Sequence, residues 1–305
     1  MKNIRDFFLL LFFFSLMTYF IMFFKRQENM VQMEDYHILS ALQQNEKYMV
    51  ICSSDEVTYR LPMEQYLVGA LAASIPAEYE PEVLKAQAIL LRSSLYGKYE
   101  KTTESEKERI VELKENEFFR SDRQMQQAWK EQYETNLLKC IEAVTLTQGM
   151  YLASDGKAIE GFFHAMSAGK TRDESGLAGE EEYRYLKAAE CPENLGAQNY
   201  ETTQIILQSD VGKLGGLQAD SGGYVLSLKE DGETVMGEEL RSRFGFRSSN
   251  YTWEIKDESY IFKVKGSGHG FGMDQYYANH LAKRGMNYRE ILDYFFEEID
   301  YCRVE

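Results

Sequence analysis

Proline and tryptophan are scarce in this 305-residue chain, at four and two residues, and cysteine and histidine number four each. None of the cysteines (Cys52, Cys140, Cys191, Cys302) forms a C-x-x-C pair, and no histidine stands at ligand spacing from one. Zinc fingers, ribbons and cluster-binding motifs are thereby excluded, and no metal or other cofactor is expected. The cysteines are as consistent with one or two disulfides outside the cell as with buried thiols. Basic residues are also in deficit: 34 Lys and Arg stand against 49 Asp and Glu, a net charge of −15. A chain that acidic repels phosphate backbones, which excludes sequence-independent nucleic-acid binding. Neither G-x-x-x-x-G-K-[ST] nor G-x-S-x-G occurs, which removes the phosphate loop and the nucleophile elbow.

One long apolar run is present. From Phe7 to Phe24, 18 residues carry no charge. As a helix they span about 27 Å, enough for a hydrocarbon core with snorkelling flanks. The run ends in Met22-Phe23-Phe24-Lys25-Arg26, without the small residues of a cleavage site. An uncleaved anchor over residues 1–26 is therefore expected rather than a cleaved leader. Those residues net +3, leaving −18 for the rest. The acidic body is expected outside the cytoplasm, on a single-pass cell-membrane protein.

Residues 27–56, rich in Gln, Glu and Met, resemble a tether, and residues 57–305 a body of class α+β. Pro62 and Pro81 each open a helix, with Glu64 and Glu82 at the positive ends, and Pro76 stops the first. Asp155-Gly156 and Asp231-Gly232 sit between short β-prone runs and predict two hairpins. Tyr260, Phe262 and Val264 alternate with polar or outward residues, a strand pattern. Asn287 followed by Glu290 has capping-box spacing and predicts a last helix that buries Ile291, Leu292, Phe295, Phe296 and Ile299. Helices and hairpins come in blocks without regular βαβ alternation, which is what the α+β class describes.

Two clusters could carry chemistry. In the loop from Gly266 to Gly272 every second residue is glycine, with His269 at the middle and Met273, Asp274 and Gln275 following. Alternating glycine lets a backbone approach another chain or a ligand closely, and a tight strand-to-helix crossover is the plainer reading. The second cluster runs from Phe162 to Thr171 and holds His164, Ser167 and Gly169. His and Ser three residues apart at a strand end make a hydrogen-bonded turn more readily than a nucleophile. Polar residues in glycine-rich segments are economical where backbones converge, so Ser74, His164 and His269 are expected together.

The segment Leu61-Pro62-Met63-Glu64-Gln65-Tyr66-Leu67-Val68-Gly69, then Pro76-Ala77, then Glu82-Val83-Leu84-Lys85-Ala86-Gln87-Ala88, resembles the family of stage II sporulation protein D and the LytB amidase enhancer. Trp129 to Gly149, His164 to Thr171, Tyr185-Leu186-Lys187, Glu239-Leu240-Arg241 and Gly268 to Tyr276 resemble further segments in the same order. The resemblance covers about residues 58–300. It implies a peptidoglycan lytic transglycosylase acting on denuded glycan strands, in which one carboxylic acid protonates the glycosidic oxygen and a hydroxyl of the same strand attacks the anomeric carbon. In the family that acid is the Glu of an Glu-Met-Pro segment; here the segment is Ser74-Ile75-Pro76, and a serine hydroxyl is too weak an acid.

The expectation is accordingly a membrane-anchored protein that binds glycan strands and supports cell-wall remodelling, with a cell-wall amidase as candidate partner and little or no cleavage of its own. An active enzyme with Glu82 as a relocated acid is the alternative, and a structural anchor without glycan affinity a second one. By resemblance, Lys85, Gln87 and Arg92 of the second helix contact glycan. So do His164, Ser167, Gly169 and Thr171, with His269, Gly270, Gly272, Met273 and Gln275.

Overall fold

The computed structural model describes residues 48–54, 57–101, 109–113, 118–177 and 180–304. The expected anchor lies outside them, and among the described residues no helix is long and apolar enough to cross a membrane. The α+β class holds: among the described residues helices alternate in blocks with five small sheets. The chain divides into two compact units, the first ending at Ser74 and resuming over Tyr99–Tyr133, the second holding Ile75–Lys98 and Glu134–Glu305.

In the first unit, strand β1 (Tyr48–Ser54) pairs antiparallel with β2 (Val57–Pro62) and parallel with β3 (Arg109–Glu112). Residues 48–54 were expected in the tether, and that boundary is corrected here. The partner strand β3 lies more than fifty residues away, and no local period announces such a pairing. Helix α1 (Met63–Ser74) follows β2 directly, so Pro62 closes the strand rather than opening the helix. From Met63 to Ala72 every residue of α1 is buried, Glu64 and Gln65 included. A helix buried on every side needs no amphipathic period.

The second unit takes most of α2 (Pro81–Glu100), whose start at Pro81 matches the sequence expectation. After α3 (Asp122–Trp129) in the first unit, α4 (Tyr133–Leu146) leads to β4 (Met150–Ser154), paired with β5 (Lys157–Ala158) across Asp155-Gly156. Both turn residues have positive φ, 50° and 74°. Strand β6 (Phe163–His164) is short, and β7 (Glu201–Leu207) comes after a stretch of single helical turns. Then β8 (Leu214–Ala219), β9 (Val225–Glu230) and β10 (Glu233–Met236) form one sheet, with the second predicted turn at Asp231-Gly232. Helix α5 (Gly237–Phe244) follows, and β11 (Tyr251–Lys256) and β12 (Ser259–Lys265) join β7 in another sheet. Between these sheets Val225, Leu228, Leu240, Phe246, Tyr251, Phe262 and Val264 make a core.

Strand β13 (Met273–Asp274) pairs parallel with β6, and α6 (Gln275–Lys283), α7 (Tyr288–Phe295) and β14 (Asp300–Arg303) close the chain. The capping box of α7 forms as the spacing predicts. The Asn287 side chain accepts from the amides of Arg289 and Glu290, and Glu290 accepts from the Asn287 amide at 2.8 Å. Asn287→Ala should lower unfolding free energy by about 1 kcal/mol, measured by denaturant melts of the whole protein, because the side-chain acceptor for the Arg289 and Glu290 amides is lost.

Candidate functional site

The glycine loop behaves as the plainer reading expected. Gly266, Gly268, Gly270 and Gly272 all have positive φ, between 68° and 111°, a region that L side chains avoid. Close packing forbids a side chain as firmly as the backbone does. A Cβ on Gly268 would lie 2.6 Å from the His164 Cβ, on Gly270 2.5 Å from the Tyr224 ring, and on Gly272 2.1 Å from the Phe162 carbonyl. The loop is thus wedged between the 162–168 segment and Tyr224, and β13 takes its place beside β6.

Two of the three residues expected together do meet: the rings of His164 and His269 are 5.8 Å apart. Ser74 belongs to the first unit. His164 is buried, and its Nδ1 lies 3.0 Å from the Phe271 carbonyl, so Nδ1 is the donor. Its Nε2 faces Asp274 Oδ2 at 3.9 Å. Burial pulls the His164 pKa down, against the opposing pull of Asp274 and of the Phe271 hydrogen bond. His269 Nδ1 accepts the Phe271 amide at 3.1 Å. Its pKa falls to about 3, through burial first, then His164, Arg241 and Arg172, with a hydrogen bond to the Phe163 backbone opposing. Both rings act as aromatic struts tied to the backbone through Nδ1, while His164 Nε2 makes no hydrogen bond, and burial favours the neutral form of each.

Asp274, absent from the sequence-derived site, is the hub. Its Oδ2 accepts the Ser167 amide at 2.7 Å and the Asn194 side chain at 2.5 Å, and its Oδ1 caps α6 through the Tyr277 amide at 2.9 Å. Ser167 is buried, and its hydroxyl accepts from Asn194 Nδ2 at 3.0 Å. Thr171 donates to the Lys187 carbonyl and accepts the Ala189 amide, while the Gly169 carbonyl accepts the Cys191 amide. The four residues of this cluster therefore hold turns together. Arg172, also missed, is buried with its Nε 2.6 Å from Asp220 Oδ2 and its guanidinium between the Tyr224 and Phe271 rings. An aspartate just before a helix was the one visible signal for Asp274. Nothing local marks Arg172 or Asp220.

The α2 residues divide. Arg92 is fully buried and donates to the carbonyls of Met150 at 3.0 Å and Val144 at 3.4 Å. Gln87 is buried too and accepts from Gln275 Nε2 at 3.0 Å. These two bind the interior instead of a solvated groove face, because α2 is packed on more sides than its sequence period suggests. Met273, Gly270 and Gly272 are buried as well. Glu82 and Lys85 are partly exposed and paired at 2.6 Å, and the second Glu82 oxygen accepts the Tyr288 amide at 2.9 Å, at the start of α7. All four cysteines are free thiols in the structure. Among the described residues no group of three potential ligands could hold a metal ion.

In the first unit, Ser74 is partly exposed at the C-terminal end of α1, and its hydroxyl donates back to the Leu71 carbonyl at 3.3 Å. Beside it opens a groove of about 580 Å³ lined by Ala73, Phe118, Phe119, Arg120, Gln124, Gln127 and Ala128. Its wall is fixed to α1 by several contacts. Tyr66 stacks on Phe119 with ring centroids 5.6 Å apart and donates to the Phe118 carbonyl at 2.9 Å, and the Arg120 amide bonds Gly69 O at 3.1 Å. Gly69 permits this approach, since a Cβ there would meet the Phe119 ring at 2.5 Å. Nothing local in the sequence marks residues 118–128 as a groove wall.

A family model described as SpoIID, stage II sporulation protein, matches residues 53–153. The span includes Ser74, α1, and the groove wall. This stretch of the chain resembles the stage II sporulation protein domain. Over 260 residues it is 26% identical to stage II sporulation protein D of Bacillus subtilis (strain 168), covering 80% of this chain and 76% of that one. The same protein of Bacillus amyloliquefaciens is 27% identical over 270 residues, with coverages of 83% and 78%. An uncharacterised protein of Brachyspira hyodysenteriae is 24% identical over 267 residues, with coverages of 81% and 69%. The resemblance to the sporulation protein D family therefore stands, and the histidine cluster lies beyond the matched domain.

Two outcomes follow from this geometry. The folded His269 binds its proton only near pH 3, whereas an unfolded histidine does so near 6.5. The unfolded state thus takes up a proton first, and stability present above about pH 6.5 is lost as pH falls from there towards about 3. Urea melts across that range should show the loss, and His269→Gln should shrink its slope. Asp274→Ala strands the Ser167 and Tyr277 amides and the Asn194 side chain, and should cost on the order of 3 kcal/mol in the same assay at pH 7.

Proposed function

We propose that this sporulation-type protein engages peptidoglycan glycan strands through the groove beside Ser74 and supports cell-wall remodelling without cleaving the strands efficiently itself. The observation that carries the reading is position 74. The helix end is held against its groove, yet it offers a hydroxyl turned back on Leu71 where the family chemistry needs a carboxylic acid. An exposed Phe118 ring and the Gln127 amide suit the apolar face and hydroxyls of a sugar. The anchor expected over residues 7–24 supports a membrane location with the body outside the cytoplasm, and a cell-wall amidase is the partner that the resemblance suggests.

Glu82 is a poor substitute acid, because both its oxygens already accept hydrogen bonds, from Lys85 and from the Tyr288 amide. Moving it to a leaving oxygen would strip the Tyr288 amide, in the first turn of α7, of its acceptor.

The test compares the full-length protein with Ser74→Glu on amidase-treated peptidoglycan, with product ends identified by mass spectrometry. The wild type should bind strands and release few or no anhydro ends. Ser74→Glu should release more, with a ceiling on the order of 10²–10⁴-fold for a well-placed general acid. Robust cleavage by the wild type that Glu82→Gln abolishes would install the relocated acid instead.

A further inference from the structure

We infer that strand β7 is a self-association edge, and that two copies of this chain pair their β7 strands antiparallel about a two-fold axis at Ile205. The inference is independent of the glycan reading and lies wholly in the second unit. β7 ends its sheet, and among the described residues no strand pairs with its outer side. The Tyr200 carbonyl accepts the Gly266 amide at 2.8 Å, and the Gln208 amide donates to the Glu258 carbonyl at 3.0 Å. Even-numbered residues of β7 therefore spend their backbone groups on the β12 side. Those of Glu201, Thr203, Ile205 and Leu207 point to the open edge. The same four side chains lie on the face turned from the core, where Ile205 is 70% and Leu207 55% exposed.

An unpaired edge invites other chains, and folded proteins blunt it with charge, proline, a bulge or brevity. Among the described residues the other edges are blunted in these ways. β11 carries Glu254 and Lys256, β2 holds Arg60 and Pro62, β8 is irregular in register, and the remaining outer strands have four residues or fewer. β7 runs seven residues without proline, register shift or any charge after Glu201. Its own pattern selects a second copy as the occupant. With Ile205 opposite its counterpart, Ile261 flanks each in register, and a row of four isoleucines crosses the axis. Thr203 then faces Leu207 of the second copy, and Glu201 falls beyond the end of that strand, so no like charges meet. Each copy carries a net charge of −15, so the bodies repel and the uncharged edge must hold them. Edge pairing alone buries less than a stable soluble dimer needs. The anchor expected over residues 7–24 offsets this by confining copies to one surface at raised effective concentration.

The experiment follows energy transfer between donor- and acceptor-labelled full-length protein in phosphatidylcholine vesicles, with sedimentation in detergent giving the size of the assembly. Wild type should dimerise, and more so as salt screens the repulsion between the acidic bodies. Ile205→Lys sets like charges across the axis and should weaken dimerisation at least about tenfold. Ile255→Lys, the matching change on the opposite edge strand, where Ile255 is 62% exposed, should leave it unchanged. Both positions face solvent, so both variants should melt like the wild type. On mild oxidation Ile205→Cys should form an intermolecular disulfide that Ile255→Cys does not form above the background of the native thiols. Monomers at every protein density in the vesicles overturn the inference. Dimers that Ile205→Lys leaves intact, or assemblies that grow beyond two copies, overturn the two-fold pairing of β7.

Discussion

Close passage of a side-chain-free backbone organises the second unit. Between Gly266 and Gly272 the chain runs against Phe162, His164 and Tyr224 at distances that no Cβ could occupy. Because the glycines alternate, the residues between them, Ser267, His269 and Phe271, have room for their side chains. His269 locks the loop to itself through the Phe271 amide, and Phe271 holds His164 through its carbonyl. Arg172 donates to the His269 carbonyl and reaches Asp220, so the β8–β9 sheet is tied to the same loop. Asp274 then closes the arrangement, joining Ser167, Asn194 and α6 through one carboxyl group.

The two histidines illustrate how a chemistry-bearing residue can serve as framework. Imidazole is the side chain most ready for proton transfer near neutral pH, and proximity of two rings invites that interpretation. Burial pushes both the other way, His164 adds to that push on His269, and each ring commits its Nδ1 to a backbone group. The residues that line an open, polar-edged groove lie elsewhere, on α1, α3 and the segment between β3 and α3.

What was legible in the sequence were features whose cause is local. Asp-Gly turns with positive φ, the capping box of Asn287 and Glu290, and the start of α2 at Pro81 follow from a few adjacent residues. The alternating glycines announced a close approach, though not what would be approached. Features decided by distant partners were silent: the parallel pairing of β1 with β3, the buried seat of Arg92, and the Arg172–Asp220 pair. Arg92 was expected at a glycan surface by resemblance, and only the carbonyls of Val144 and Met150, brought in by α4 and β4, give it an interior place. The groove wall at residues 118–120 was hidden for the same reason, since its anchor is Gly69 on a helix some fifty positions earlier.

The parallel pairing of β1 with β3 also governs how the chain must be made. A parallel neighbour requires a crossover, and here the connection contains β2, α1 and all of α2, while residues 75–98 within it cluster with the second unit, so the first unit is discontinuous. During synthesis the first sheet stays incomplete until residue 112 has emerged, and by then residues 75–98 are already present without the partners that follow residue 134. Each unit waits on the other's sequence. Neither can be excised as one continuous fragment, and the exposed edge of β1 must be kept from other chains for as long as β3 is missing.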